Sequence, residues 1–133
     1  MTCEVTYKGE LRCEMTHLQS GDKIITDAPT DNHGRGKAFS PTDLTSSSTA
    51  VCALTTIGIA AEMHGFNIEG SKAEVTKVMS NNPRRISEVH ITFYFPFFNY
   101  SQKEKKLIEH AARTCPVMLS LHPDIKKEMT FIF

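Results

Sequence analysis

Two of the four cysteines stand where a thiol could do chemistry. Cys115 directly precedes Pro116, and proline suits the first position of a helix. A cysteine at a helix start lies near unpaired backbone N–H groups, which stabilise a thiolate. Cys52 lies among small apolar residues, where a nucleophile would need a cation such as arginine beside it. For both cysteines an inert buried thiol is the open alternative.

The remaining cysteines and the histidines are not predicted to form a reactive site or a metal site. Cys3 and Cys13 fall in predicted strands and are interpreted as ordinary strand residues. His110, Cys115 and His122 lack the closely spaced pairs of a zinc site. We therefore expect no bound metal.

Composition narrows the class of protein. The 133 residues are 40% hydrophobic and 23% charged, and 15 basic residues balance 15 acidic ones. A chain with this balance has no net positive charge that would attract nucleic acid or an anionic membrane. Four cysteines are too few for a disulfide scaffold. The start Met-Thr-Cys-Glu does not have the basic and apolar pattern of a signal sequence. The longest apolar run, Ala50–Ala61, is shorter than the roughly 20 residues of a membrane span. We expect one domain over 1–133, in the cytoplasm, with no nucleic-acid or membrane partner.

The elements that position these cysteines are predicted in the order βββ-α-ββ-α-β, an α+β fold. Turn residues separate short stretches in which apolar and polar residues alternate, which is typical of strands in antiparallel sheets. The predicted strands cover residues 4–7, 11–15, 23–26, 73–79, 86–95 and 127–133.

A long helix follows the third strand. Ser40 is a suitable N-cap, Pro41 suits the first helical position, Asp43 suits the first turn, and Gly65 suits the residue after the end. The stretch Thr45–Ala61 carries no charge. Such a helix is expected to be buried on every side, as the central helix of the fold, with packing against a second copy as one way to cover it.

A second helix is predicted over Ser101–Thr114, because Ser101 and Glu104 form a capping box. A short helical turn is expected at Val117–Leu121. Four phenylalanines are interpreted as core or interface residues, or as the lining of an apolar channel: Phe93, Phe95, Phe97 and Phe98.

Taken together, the segment Ser40-Pro41-Thr42-Asp43-Leu44, Cys52 eight residues later, and Cys115-Pro116-Val117 resemble the OsmC/Ohr family. The resemblance extends over nearly the whole chain. It implies an intertwined homodimer with two active sites at the subunit interface.

The resemblance also implies a thiol-dependent peroxidase for organic and fatty-acid hydroperoxides, which protects against oxidative or osmotic stress. Cys52 would become a sulfenic acid, and Cys115 would resolve it to a disulfide. Arg12 would activate Cys52, with Arg35 as the fallback. No bound cofactor is implied, since an external dithiol, such as a lipoyl group, would reduce the disulfide.

One departure from the family pattern concerns the start of the long helix. Typical members carry Pro-Glu there, whereas Thr42 follows Pro41 and the acid comes one place later, at Asp43. One helical residue is a rotation of about 100°, so Asp43 is interpreted as a capping acid. The segment is closer to the YhfA-type branch. The alternative function is a catalytically weak protein that binds a small apolar or thiol-reactive ligand in the dimer-interface pocket.

Overall fold

The computed structural model describes residues 1–96 and 99–133. The chain divides into two compact units, residues 1–45 and 46–133, with the boundary inside the first turns of the long helix. A single domain over 1–133 stays a prediction.

The first unit contains a three-stranded antiparallel sheet in the order β1-β2-β3. The strands are β1 (Cys3–Gly9), β2 (Arg12–His17) and β3 (Lys23–Asp27). All three predicted N-terminal strands are therefore confirmed. The predicted loop after β3 contains one 3-10 turn, Thr30–Asn32.

The first sheet carries apolar side chains that remain uncovered. Val5, Met15 and Ile24 are register neighbours across the three strands, and Val5 is 57% exposed. The fully buried residues of this unit are polar: Thr26, Asp27 and Ser40. The first unit thus has an apolar sheet face without an apolar core beneath it.

The long helix α1 spans Pro41–His64, as predicted. Its start is a reciprocal capping arrangement, because the Asp43 N–H donates to Ser40 Oγ and the Ser40 N–H donates to Asp43 Oδ2, both at 3.0 Å. Gly65, with φ +74°, follows its end. The interpretation of Asp43 as a capping acid is confirmed.

Helix α1 is buried along one face only, so the expectation of burial on every side is wrong within this chain. The opposite face is exposed and apolar, with Val51 at 64%, Ile59 at 54% and Met63 at 77% exposure. The reason is that the core of the second unit meets one side of the helix. The buried residues of the helix are Ser46, Thr49, Ala50, Ala53, Ile57 and Ala61.

Length and composition alone would also let α1 cross a membrane, with a mean hydropathy of 1.4 over an 18-residue window. The sequence expectation used the shorter run Ala50–Ala61, which left out the neutral serine and threonine residues that precede it. Core helices of soluble proteins meet the same criterion, so this property carries little weight.

The second unit contains a sheet in the order β4-β5-β6. Its strands are β4 (Lys72–Ser80), β5 (Arg85–Tyr94) and β6 (Lys126–Ile132). The β4–β5 hairpin is antiparallel as predicted, whereas β5 and β6 run parallel. The prediction of antiparallel sheets is wrong for that pair, because the chain between them passes through helices and returns to run in the same direction.

Two helices lie between β5 and β6. Helix α2 spans Gln102–Arg113 and begins with the predicted capping box of Ser101 and Glu104. Helix α3 spans Pro116–Ser120, where the sequence predicts a short turn. Helix α2 buries one stripe: Ile108, Ala111 and Ala112.

The core of the second unit is rich in phenylalanine. Phe93 stacks on Phe131 and Phe95 stacks on Phe133, each with ring centroids 5.2 Å apart. Both Phe93 and Phe95 are buried, so their assignment to the core is confirmed. The same prediction for Phe97 and Phe98 lies outside the described residues.

Candidate functional site

Cys115 lies at the junction of two helices in the core. It is the N-cap residue of α3, with extended backbone angles, and Pro116 occupies the first turn. Its side chain is 0% exposed. The predicted helix start at Cys115 is therefore confirmed, and proline explains it, since the residue before proline avoids the helical conformation.

The backbone N–H groups of this helix start act on Cys115 in the expected direction, but they do not make its thiol more acidic overall. Burial raises the pKa of the Cys115 thiol, and the side chain of Cys52 raises it further. The backbone N–H groups of Met118 and Val117 act in the opposite direction. Desolvation outweighs them because the sulfur has lost nearly all contact with water.

Cys52 is the neighbour of Cys115 within the second unit. It lies on α1, is partly buried, and packs against the core cluster that contains Cys115. The Cys52 side chain lies close enough to the Cys115 thiol to raise its pKa, and both are free thiols. Two residues that are 63 positions apart in the sequence are thus adjacent, which is the arrangement needed for a disulfide to form.

Arg12 is held by a buried carboxylate. Its Nε and Nη2 groups donate to Asp27 Oδ1 and Oδ2, both at 2.8 Å. Asp27 is 1% exposed and Arg12 is 29% exposed in their side chains. The guanidinium hydrogen bonds hold the pKa of the Asp27 carboxyl below its usual range, so the pair is ionised at neutral pH.

The fallback arginine has a more exposed partner. Arg35 Nη2 donates to Glu10 Oε2 at 2.6 Å, with side-chain exposures of 40% and 79%. An exposed pair of this kind orders its arginine weakly. Of these two arginines, Arg12 is the one whose orientation is fixed by a buried partner.

The other sequence candidates lie apart from one another. Cys3 is in register with His17, and Cys13 with Tyr7, both across β1 and β2. Within residues 1–96 and 99–133, no three His, Cys, Asp or Glu side chains are grouped as metal ligands.

Thr42, at the position where the resembled family carries glutamate, belongs to the helix start. Its Oγ1 lies 3.2 Å from Ser40 Oγ. Arg12 instead finds its carboxylate at Asp27, which sequence reasoning missed. The available signal was the position of Asp27, at the end of a strand opposite Arg12 in the antiparallel register, but that register is a property of the folded sheet.

Comparison with known proteins identifies the family. The model of the family described as OsmC-like protein matches residues 34–130. A Psychrobacter arcticus structure, described as an osmotic stress induced and detoxification response protein, is 51% identical, with a TM-score of 0.94 over 98% of this chain and 95% of that chain. A comparison with curated proteins gives no significant match.

More distant structures share the fold. An organic hydroperoxide resistance protein OsmC from Legionella pneumophila is 16% identical, with a TM-score of 0.74 over 100% of this chain and 98% of that chain. OhrB of Bacillus subtilis, an organic hydroperoxide resistance protein, is 16% identical, with a TM-score of 0.70 over 98% of both chains. By the family model and the close relative, the chain belongs to the OsmC-like protein family.

Proposed function

We propose that this protein is a thiol-dependent peroxidase that reduces organic hydroperoxides. The observation that carries the proposal is the contact between the Cys52 and Cys115 thiols in the core. The family and the names of its structural neighbours, which include organic hydroperoxide resistance proteins, supply the substrate class.

In the first step, the Cys52 thiolate attacks the terminal oxygen of the hydroperoxide. An S–O bond forms and the O–O bond breaks, so that Cys52 becomes a sulfenic acid. The departing alkoxide takes a proton and leaves as the alcohol. Cys52 is the better first nucleophile because it is only partly buried, whereas the raised pKa of the enclosed Cys115 keeps that thiol protonated.

In the second step, the Cys115 sulfur attacks the sulfenic sulfur of Cys52, and water leaves as the disulfide forms. An external dithiol then reduces this disulfide by two exchange steps and is itself oxidised to a disulfide. The sum is one hydroperoxide and one dithiol converted to an alcohol, water and a disulfide. No bound cofactor is needed.

Arg12 is assigned, through the resemblance, as the cation that favours the Cys52 thiolate. Guanidinium stays charged at any working pH and in any degree of burial, which suits it to this task. Its ordered side chain distinguishes it from Arg35.

The working form is proposed to be a cytoplasmic homodimer. Two uncovered apolar surfaces support this assembly: the exposed face of α1 with Val51, Ile59 and Met63, and the first-sheet stripe of Val5 and Ile24. Exposed apolar area of this kind marks an interface, and the α1 face is free of charge from Thr45 to Ala61.

The experiment is intact mass and non-reducing peptide mapping after one equivalent of an organic hydroperoxide is added to reduced protein. We expect a rapid loss of two hydrogens that maps to a Cys52–Cys115 disulfide. The variant C115S should stop at the Cys52 sulfenic acid, which a dimedone adduct at Cys52 would report, and C52S should not react rapidly.

The matched control is C3S, which removes an unrelated thiol and should behave as the wild type. Slow oxidation spread over all four cysteines would refute the peroxidase. Thr42 at the helix start would then favour the second candidate, a protein that binds a small apolar or thiol-reactive ligand without turnover.

A further inference from the structure

A cavity of about 360 Å³ opens on the first sheet, where β1 begins and β2 ends. All of its lining residues belong to the first unit. Two of them carry sulfur and one carries an imidazole, which are the side-chain groups that bind soft metals. The lining residues are Thr2, Cys3, Met15, His17, Asp22 and Ile24.

The sheet register places Cys3 and His17 directly opposite each other. The Leu18 N–H donates to the Thr2 carbonyl at 3.2 Å, which is the pattern around a pair that has no hydrogen bonds between its own two members. Side chains in such a pair lie close, with Cβ atoms about 4.5–5.5 Å apart. Met15 comes two residues before His17 on β2, so it lies on the same face of the sheet.

The ring of His17 is held at one of its two nitrogens. Nδ1 lies 2.7 Å from Ser20 Oγ and accepts from the Ser20 N–H at 3.3 Å, while the Asp22 N–H donates to the same hydroxyl at 3.2 Å. These contacts use Nδ1, so a metal would bind at Nε2. The ring proton then lies on Nδ1, which exchanges the longer contact for donation to Ser20 Oγ, the usual outer-shell arrangement of a metal-bound histidine.

The available donors discriminate between metals. Zinc is bound by thiolate, imidazole and carboxylate, and a zinc site here would need Cys3, His17 and Asp22 together. Within residues 1–96 and 99–133, no three His, Cys, Asp or Glu side chains are grouped to hold a metal. The third donor is therefore the thioether of Met15, and thioether with thiolate sulfur suits Cu(I).

We propose that Cys3, Met15 and His17 form a binding site for one Cu(I) ion. On binding, the Cys3 thiol releases its proton to water as a copper–sulfur bond forms. Copper stays in the +1 state, so no electron is transferred. The ion ties β1 to β2 in a unit that has no apolar core, so bound Cu(I) also stabilises this sheet.

The site is independent of the proposed peroxidase. It uses neither Cys52 nor Cys115, so C3S remains a valid control for the reaction of those two thiols. The sequence predicts no metal here because its three donors meet only through the register of β1 and β2.

The test is an anaerobic titration with Cu(I) against bicinchoninate, a chelator that forms a coloured Cu(I) complex. Two neighbouring thiols also bind Cu(I), so the titrated protein is the full chain with C52S and C115A, in which Cys3 and Cys13 are the remaining cysteines. Alanine is used at position 115 because Cys115 is fully buried. We expect this chain to retain one Cu(I) ion in competition with the chelator.

Further substitutions in this background identify the ligands. C3S and H17Q should each weaken Cu(I) binding by more than about 100-fold, since loss of a ligand exceeds the 10–100-fold cost of losing an outer-shell partner. S20A removes such a partner of His17 and should weaken binding by about tenfold. M15L keeps the apolar volume of the side chain and should lower the number of sulfur ligands, counted by copper X-ray absorption, from two to one.

The matched control is C13S. Cys13 lies on the same strand as Met15 and His17 but pairs with Tyr7, away from the lining of the cavity. This variant should bind Cu(I) as tightly as the background chain. A measurement that needs no substitution is amide hydrogen exchange of the full wild-type chain, which should slow in β1 and β2 when Cu(I) is added.

The inference is overturned if the background chain loses all Cu(I) to the chelator, if C3S binds as tightly as C13S, or if the sulfur count is the same in M15L. Unchanged exchange in β1 and β2 of the wild type with Cu(I) would also overturn it. That last result does not depend on the folding of any variant.

Discussion

At the scale of residues, burial and its compensation determine the pKa values of Cys115 and Asp27. Cys115 has the local sequence of a reactive thiol, yet its pKa is raised because the core removes it from water. Asp27 is equally buried, yet its pKa is lowered because Arg12 donates two hydrogen bonds to it. Burial raises the pKa of both groups, but at Asp27 the hydrogen bonds from the charged Arg12 outweigh this effect.

The lowered pKa of Asp27 predicts a specific acid sensitivity. The folded state binds this proton less readily than the unfolded chain, so the contribution of Asp27 to stability is present above the unfolded pKa, about 3.9, and is lost as the pH falls through the lower folded value. Urea unfolding between pH 7 and pH 3 should show a smaller loss of stability for D27N than for wild type in this window.

The control is E14Q, which removes the carboxylate that pairs with the exposed Lys23 in the same sheet. Its free energy of unfolding should change with pH as that of the wild type does. The comparison between variants is needed because the pKa of Glu128 is also lowered, by Lys126, and titrates in the same direction. If the free energy of unfolding fell equally with pH in wild type and D27N, the pairing of Arg12 with Asp27 in solution would be contradicted.

At the scale of elements, the loop between β3 and α1 is closed by backbone hydrogen bonds and contacts Asp27. The Gly34 N–H donates to the Pro29 carbonyl at 3.0 Å, and the Gly36 N–H donates to the Ala28 carbonyl at 3.2 Å. A Cβ on Gly34 would lie 1.7 Å from the Ala28 carbonyl oxygen. Glycine is needed at this position because two backbone segments approach each other closely.

Gly34→Ala should therefore destabilise the protein by about 1–3 kcal/mol, the usual cost of forcing extra atoms into a packed place. The measurement is the free energy of unfolding in urea. Asn32→Ala, in the exposed 3-10 turn of the same loop, is the control and should stay within about 0.5 kcal/mol of wild type. A Gly34→Ala variant as stable as this control would show that the loop relaxes freely.

At the scale of the whole molecule, the exposed apolar faces predict that two copies of the chain form a dimer. Helix α1 is the clearest case, since its exposed side carries Val51, Ile59 and Met63 but no charge between residues 45 and 61. A second copy would remove this surface from water at a gain of roughly 25 cal/mol per Å² of apolar area.

Ile59→Glu should convert a dimer into a monomer, because an unpaired carboxylate would be buried in an apolar contact. Light scattering coupled to size exclusion gives the mass: two chains for wild type and one for the variant. Ile132→Glu introduces the same charge at a residue of similar exposure on β6 and should leave the mass unchanged. A monomeric wild type would refute the proposed assembly.

The sequence by itself determined the order of elements and most of their limits. Helix α1 begins at Pro41 and ends at His64 as predicted, because capping residues act locally on the backbone. The capping box of Ser101 and Glu104 could be predicted for the same reason. The local sequence singled out Cys115 through Pro116, whereas the role of Cys52 as the first nucleophile came from the family resemblance.

Only the tertiary structure decided the features that depend on distant residues. The contact of Cys52 with Cys115, the raised pKa of Cys115 and the pairing of Arg12 with Asp27 all arise from segments that are far apart in the sequence. The parallel pairing of β5 with β6 and the one-sided burial of α1 belong to the same class. Local propensities fix where elements begin and end, whereas register, desolvation and ion pairing are set by which elements meet.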